Sequence, residues 1–176
     1  MENDFLKMLR ERRSVRSFKP QQITDEELNA VLEAGTFAPT GMNHQDPWIV
    51  AVQKPEIIAQ LVTMNAAVMG SDSNPYYDAP TIVLVFASRP EAWANGMADG
   101  SLVLGNMMNA AHAIGLGSCW INREREMFDT DEGRQLMRQF GLPEGLMGVG
   151  ALALGYPAAP LRPARPRKEH YFRIVK

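Results

Sequence analysis

The clearest chemical potential lies in residues 12–18, RRSVRSF. Arg12, Arg13 and Arg16 fall within five residues of one another, together with the Ser14 hydroxyl. Planar guanidinium groups meet phosphate through charge-assisted, often paired hydrogen bonds. One such cluster usually means no more than a solvated turn. Here Arg165, Arg167 and Lys168 form a second cluster near the other end of the chain. Two distant clusters that close on one phosphate would explain both.

Other residue types that often carry chemistry read as structural. The single cysteine, Cys119, stands in an apolar stretch with no histidine near it in sequence, as a packing residue does. His44, His112 and His170 are far apart, and none has a metal-ligand spacing with Cys119. His112 reads as a buried structural histidine, and Met107, Met108, Met127, Met137 and Met147 read as core filler. Residues 148–153, GVGALA, fit a dinucleotide fingerprint in letters only. That motif ends a strand and opens a helix, whereas these glycines lie inside an apolar strand and suit close packing. The carboxylates Glu26 and Glu27 are explained by helix capping.

The elements that must position these residues follow from periodicity. Residues 3–12 form an amphipathic helix with Phe5, Leu6, Met8 and Leu9 on one face. Thr24 and Glu27 make a capping box, and Ile23 and Leu28 a hydrophobic staple, for a helix that Gly35 closes in a left-handed cap. Residues 38–47 are a loop, 48–52 a strand, and Pro55 opens the next helix. After a loop over 70–80, residues 81–87 are branched and apolar, as in a strand buried on both faces. Residues 89–98 read as a polar insertion. Residues 99–114 are apolar nearly all round, which predicts a central buried helix with small residues for close approach. A strand over 118–122, a helix over 131–140 capped by Gly141, and a strand over 147–154 precede a proline-studded tail. Interleaved helices and strands leave α/β and α+β both open.

The chain has 176 residues, 45% of them hydrophobic and 22% charged, with a mean hydropathy of −0.22. That is an ordinary globular mix, long enough to bury a core without disulfides or metal. No apolar run reaches membrane-spanning length, and the acidic start does not resemble a signal peptide, so a cytoplasmic protein without a membrane partner is expected. The net charge of −2 conceals basic ends and an acidic body: 12 of the 18 lysines and arginines lie in residues 1–19 and 162–176. The acidic body and the absence of aromatics among the basic residues argue against nucleic acid.

Five segments in register carry a resemblance that spans nearly the whole chain. They are RRSVRSF at 12–18, APTGMNHQDPW at 38–48, DGSLVLGNMMNAAHAIGLGSCWI at 99–121, GLPEGLMGVGALALGYP at 141–157, and the closing Arg165-Pro166-Arg167. In this the chain resembles a small, single-domain member of the FMN-dependent nitroreductase family.

The resemblance implies an α+β fold: a central, mostly antiparallel sheet flanked by helices, with the long buried helix at a homodimer interface. It implies a domain over 1–160; the Pro-rich arm over 161–176, whose Tyr171, Phe172, Ile174 and Val175 have no local core to join, is expected to wrap the partner subunit. It also implies FMN as cofactor and NAD(P)H as co-substrate. Small electron-poor acceptors, nitroaromatics or quinones, would be reduced by ping-pong hydride transfer. Arg12, Ser14 and Arg16 would hold the phosphate and ribityl chain, Arg13 would reach the ring, and Arg165 and Arg167 would close on the phosphate. Thr40, Asn43 and Gln45 would come from the partner, and Pro39 would shape their loop. Trp120, Ile121 and Asn122 would lie along the flavin, and Asn65 would meet its pyrimidine edge. No side chain is expected to be catalytic in its own right. A specialised flavin enzyme of the dehalogenase or destructase type, and a non-catalytic nucleotide-binding module, remain the alternatives.

Overall fold

The structure, a computed structural model, describes residues 2–176. Its helices are α1 (Asp4–Glu11), α2 (Asp25–Thr36), α3 (Pro55–Met69), α4 (Gly96–Ala113), α5 (Glu124–Phe128) and α6 (Asp131–Gln139). Its strands are β1 (Trp48–Val52), β2 (Thr81–Ser88), β3 (Gly117–Ile121) and β4 (Leu146–Gly155), and a 3-10 turn spans Gly41–Asn43. The strands form one sheet in the order β1-β2-β4-β3, with every neighbouring pair antiparallel. This is the α+β architecture expected.

Both faces of the sheet are covered. Leu61 of α3, Phe128 of α5 and Leu136 of α6 pack with Phe86 and Ile121 on one side. Val31 of α2 and Leu104 and Met107 of α4 pack with Val83, Val85 and Leu152 on the other. A strand between two apolar layers must be apolar throughout, and β2 is buried along almost its whole length. Between Val85 and Phe86 the register against β4 slips, from Gly150 to Gly148, which leaves Val149 as the extra residue of a bulge. Gly100 of α4 admits that residue: a Cβ there would lie 2.8 Å from Val149 Cγ2.

Several local expectations need correction. Gly35 does not cap α2; it lies within the helix, where a Cβ would come 2.8 Å from Met107 Cγ. Its smallness serves contact between α2 and α4 rather than a left-handed turn. Helix α4 starts at Gly96 and takes in part of the supposed insertion. It is buried on one face only, through Gly100, Val103, Leu104, Met107 and Ala111, while Leu102, and Ile114 just past its end, are exposed. Strand β3 ends at Ile121, so Asn122 lies just beyond it. Helix α5 is too short to show a helical period and has no counterpart in the sequence reading. Phe5, Leu6 and Leu9 of α1 remain exposed.

The chain between α1 and α2 serves as an extra rim to the sheet. Ser14 bridges Ser118 in parallel, and Phe18 bridges Pro157 in antiparallel fashion. The Val15 amide donates to the Ser118 carbonyl at 2.9 Å, and the Lys19 amide to Tyr156 at 2.9 Å. Gly117 makes the approach possible, since a Cβ there would lie 2.8 Å from Val15 Cγ2. The arginine-rich segment is thereby laid along the outer edge of β3. Among the described residues no helix is long and apolar enough to cross a membrane.

Candidate functional site

Pinned in this way, the first basic cluster faces the second. A cleft of about 680 Å³ has Arg13, Ser14 and Arg16 on one wall and Arg165 and Arg167 on the other. The two clusters are about 150 residues apart in sequence. They meet because β4 runs antiparallel to β3 and delivers the tail beside the segment that rims β3. A volume of this size suits a cofactor or drug-sized ligand.

Not every arginine is free for a ligand. Arg13 Nη1 donates to the carbonyls of Arg10 and Arg12, at 2.7 and 2.6 Å, and so caps the end of α1. The Arg16 guanidinium stands 5.8 Å from the centroid of the Tyr77 ring, and its side chain is otherwise exposed. Arg12 does not line the cleft. It lies near His112 of α4, which is half-buried rather than buried and whose pKa is lowered, first by burial and then by the Arg12 charge. Arg12 Nη1, Arg13 Nε and Ser118 Oγ are buried and have no hydrogen-bond partner among the described residues. Unpaired buried donors are costly; of these three only Arg13 belongs to the cleft lining, beside the Ser14 hydroxyl and the guanidinium groups of Arg16, Arg165 and Arg167, a set that suits an oxygen-rich anion. The donor set therefore fits a phosphate-bearing cofactor.

Beside the cleft, β3 has an open edge. Its outer side is met at Ser118 by Val15, and backbone groups alternate along a strand with a period of two. The Trp120 backbone thus faces the same open edge, next to the arginines. Ile121 is buried in the core, whereas Asn122 is exposed. Cys119 points inward and is 2% exposed; burial raises its thiol pKa, which disfavours the reactive thiolate.

Pro39, Thr40, Asn43 and Gln45 do not line this cleft. They belong to a loop fastened to the start of α4, where Asp99 accepts from the Gly41 amide at 2.9 Å and from Trp93 Nε1 at 2.7 Å. The His44 ring stacks on Trp93 at 4.4 Å. Met42, Asn43 and Gln45 are left-handed, and the Gln45 amide donates to Thr40 Oγ1 at 3.0 Å. The loop is shaped by internal bonds yet displays exposed Asn43 and Gln45 side chains outward.

Asn65 departs from the expectation that it meets a flavin edge. It is fully buried, its Nδ2 donates to the Asn122 carbonyl at 2.8 Å, and its Oδ1 accepts from Arg123 Nε at 2.9 Å. Its amide is committed inside the protein at both ends. The partners Tyr76, Arg123 and Glu124 were missed in the sequence. Glu124 resembles an ordinary first-turn acid, and only the adjacent tyrosines 76 and 77 in a polar loop were a signal.

Comparison with known proteins places this geometry in context. The nitroreductase family model matches residues 9–72 and 71–156. A protein of Archaeoglobus fulgidus with the provisional name NADH dehydrogenase/NAD(P)H nitroreductase is 29% identical, over 86% of this chain and 84% of that one. An FMN reductase [NAD(P)H] of Bacillus subtilis is 23% identical, over 89% of this chain and 67% of that one. A crystal structure of a Bacteroides fragilis nitroreductase with bound FMN is 32% identical, superposes with a TM-score of 0.89, and covers 99% of this chain and 100% of its own.

Proposed function

The chain belongs to the nitroreductase family, and from that premise we propose that it is an FMN-dependent NAD(P)H oxidoreductase acting on small electron-poor acceptors. The observation that carries this is the convergence of both basic clusters on one cleft beside the open edge of β3. When bound, FMN supplies the hydride chemistry, with NAD(P)H as donor and a nitroaromatic or quinone as acceptor in alternation.

The work of the protein is positional and electrostatic. Arg16, Arg165 and Arg167 would neutralise the phosphate and the Ser14 hydroxyl would donate to phosphate or ribityl oxygens, while Arg12 stands behind the cleft beside His112 and adds its charge from there. Arg13 contributes mainly by closing α1. The Trp120 backbone N–H, on the open edge, would donate to the ring, and Ile121 and Asn122 would fix the backbone that carries it. No side-chain acid or base is required, in keeping with a cleft lined by cations and hydroxyls.

Pro39, Thr40, Asn43 and Gln45 act on the cleft of a second subunit. They stand away from their own cleft, and the exposed face of α4 supports such a dimer. At Gly105 on that face a Cβ would meet nothing within 4 Å of it in this chain. The arm over 161–176 extends from the domain over 1–160 with Tyr171, Phe172, Ile174 and Val175 exposed, as suits burial against a partner. A reducing cytoplasmic setting agrees with a free, buried Cys119. The test is direct. The purified protein should be yellow, hold one FMN per chain, and consume NADH or NADPH with a quinone or nitroaromatic. A colourless protein that does not take up added FMN would overturn the reading.

A further inference from the structure

Between α3, the loop over 70–80 and α5 lies a polar cluster that the cofactor cleft does not use. Glu124 is 1% exposed. Its Oε1 accepts from the Tyr76 hydroxyl at 3.0 Å and from Asn65 Nδ2 at 3.3 Å, and its Oε2 has no partner among the described residues. The same Asn65 Nδ2 donates to the Asn122 carbonyl at 2.8 Å, while Asn65 Oδ1 holds Arg123 Nε at 2.9 Å. Arg123 has a φ of +81°, which is costly for a residue with a Cβ. The chain just past β3 is therefore held in an unfavourable conformation by a buried amide that is itself shared with a buried carboxyl. Gly148 lets this unit seat against β4, since a Cβ there would lie 2.4 Å from the Glu124 carbonyl oxygen.

We propose that Glu124, acting with Tyr76 through Asn65, is a positioning residue for the end of β3 and sets where the Trp120–Asn122 backbone stands. Any effect on a flavin rests on the reading of that edge given above; the effect on the strand does not.

The physical handle is the sharing of Asn65. Burial pushes the Glu124 carboxyl up to about 8, so near neutral pH it is protonated. The charged and titratable groups around it are Tyr76 from the loop and Arg123, which both favour ionisation, and Glu126 of α5, which opposes it. Helix α3 brings the neutral Asn65, and β4 carries no charged residue. Ionisation makes Oε1 the stronger acceptor. It draws the Asn65 amide toward Glu124 and away from the Asn122 carbonyl.

The experiment follows the backbone amide NMR signals of Trp120, Asn122 and Arg123 in the full chain through this pH range, in wild type, Glu124→Gln and Tyr76→Phe. In wild type the three signals should titrate together with a midpoint near 8. Glu124→Gln should abolish that titration and leave the signals at their low-pH positions. Tyr76→Phe removes a donor that favours the carboxylate, so its midpoint should move upward. Flat amides in wild type would overturn the proposal. Should Glu124→Gln fail to fold, an unshifted midpoint in Tyr76→Phe would overturn it instead. A second arm measures the flavin reduction potential of the holoprotein over the same range. Wild type should diverge from Glu124→Gln as Glu124 ionises. Amides that titrate while the two potentials stay parallel would leave the strand role standing and remove the β3 edge as the bed of the flavin.

Discussion

Arg16 is exposed, and its main contact in the chain is the face of Tyr77. An exposed cation–π pair contributes roughly 0.5–1 kcal/mol, whereas each charge-assisted bond to phosphate contributes roughly 1.5–3 kcal/mol. Arg16→Glu should therefore keep the fold by circular dichroism and weaken FMN binding more than tenfold, and up to about a thousandfold, in a fluorescence titration. Arg167→Glu should weaken it too, because the tail forms the opposite wall. Wild-type affinity in Arg16→Glu would remove that residue from the phosphate site. Cys119 is the contrasting case. It is buried, and its pKa is raised by burial, so Cys119→Ser should retain kcat within about a hundredfold, or 2.7 kcal/mol. Glu124 bears on stability as well. Above a pH of about 4.5 the unfolded carboxyl has lost its proton, while the folded one keeps it until about 8. Stability should fall as pH rises through that window and level off above it. Urea unfolding of Glu124→Gln should lack this decline.

At the scale of elements, the design depends on backbones that approach one another without side chains between them. Gly148 is the sharpest instance, because the atom it would meet is the carbonyl oxygen of Glu124, which no rotamer change can move aside. Gly148→Ala should cost about 1–3 kcal/mol in urea unfolding, as overpacking does. The glycines of residues 148–153 were readable as packing sites rather than a dinucleotide motif, because an apolar strand surrounded them. What they pack against was not readable. Helix α5 has only five residues, fewer than two turns, and a period of 3.6 cannot be seen in so short a window. The capping box of α2 was legible in full: Thr24 Oγ1 accepts from the Glu27 amide at 3.2 Å, and the Glu27 carboxylate accepts from the Thr24 amide at 2.8 Å. Capping is a local interaction over three residues, so sequence contains all its terms. Gly35 misled for the converse reason. Its local signal is a helix stop, but its role is set by Met107.

At the scale of the whole molecule, the basic ends close on one cleft, and the apolar groups of α1, α4 and the tail remain uncovered in the single chain. A second copy would cover them and bring the loop of Asn43 and Gln45 to the cleft. Gly105→Leu separates this from a solitary subunit. A Cβ at this position meets nothing within 4 Å in the chain, and leucine favours the helix over glycine by roughly 1 kcal/mol. Sedimentation should show wild type as a dimer with bound FMN, and Gly105→Leu shifted toward a folded monomer that binds FMN more weakly. A wild-type holoprotein that sediments as a monomer would sink the dimer.

The sequence alone determined what depends on nearest neighbours and periodicity: the strands 48–52 and 81–87, the proline start of α3, the capping box of α2, the apolar layers and the presence of two basic clusters. It also contained, in five segments in register, the family. Tertiary structure decided which of those residues face one another. Antiparallel pairing of β3 with β4 placed Arg165 and Arg167 opposite Ser14 and Arg16. It committed Asn65 to a buried network, turned Arg13 back onto its own helix, and raised Glu124 from an ordinary cap to an enclosed acid. Each of these outcomes depends on burial and on contacts between residues remote in sequence. Desolvation and long-range pairing are properties of the packed chain, and no local window of sequence contains them.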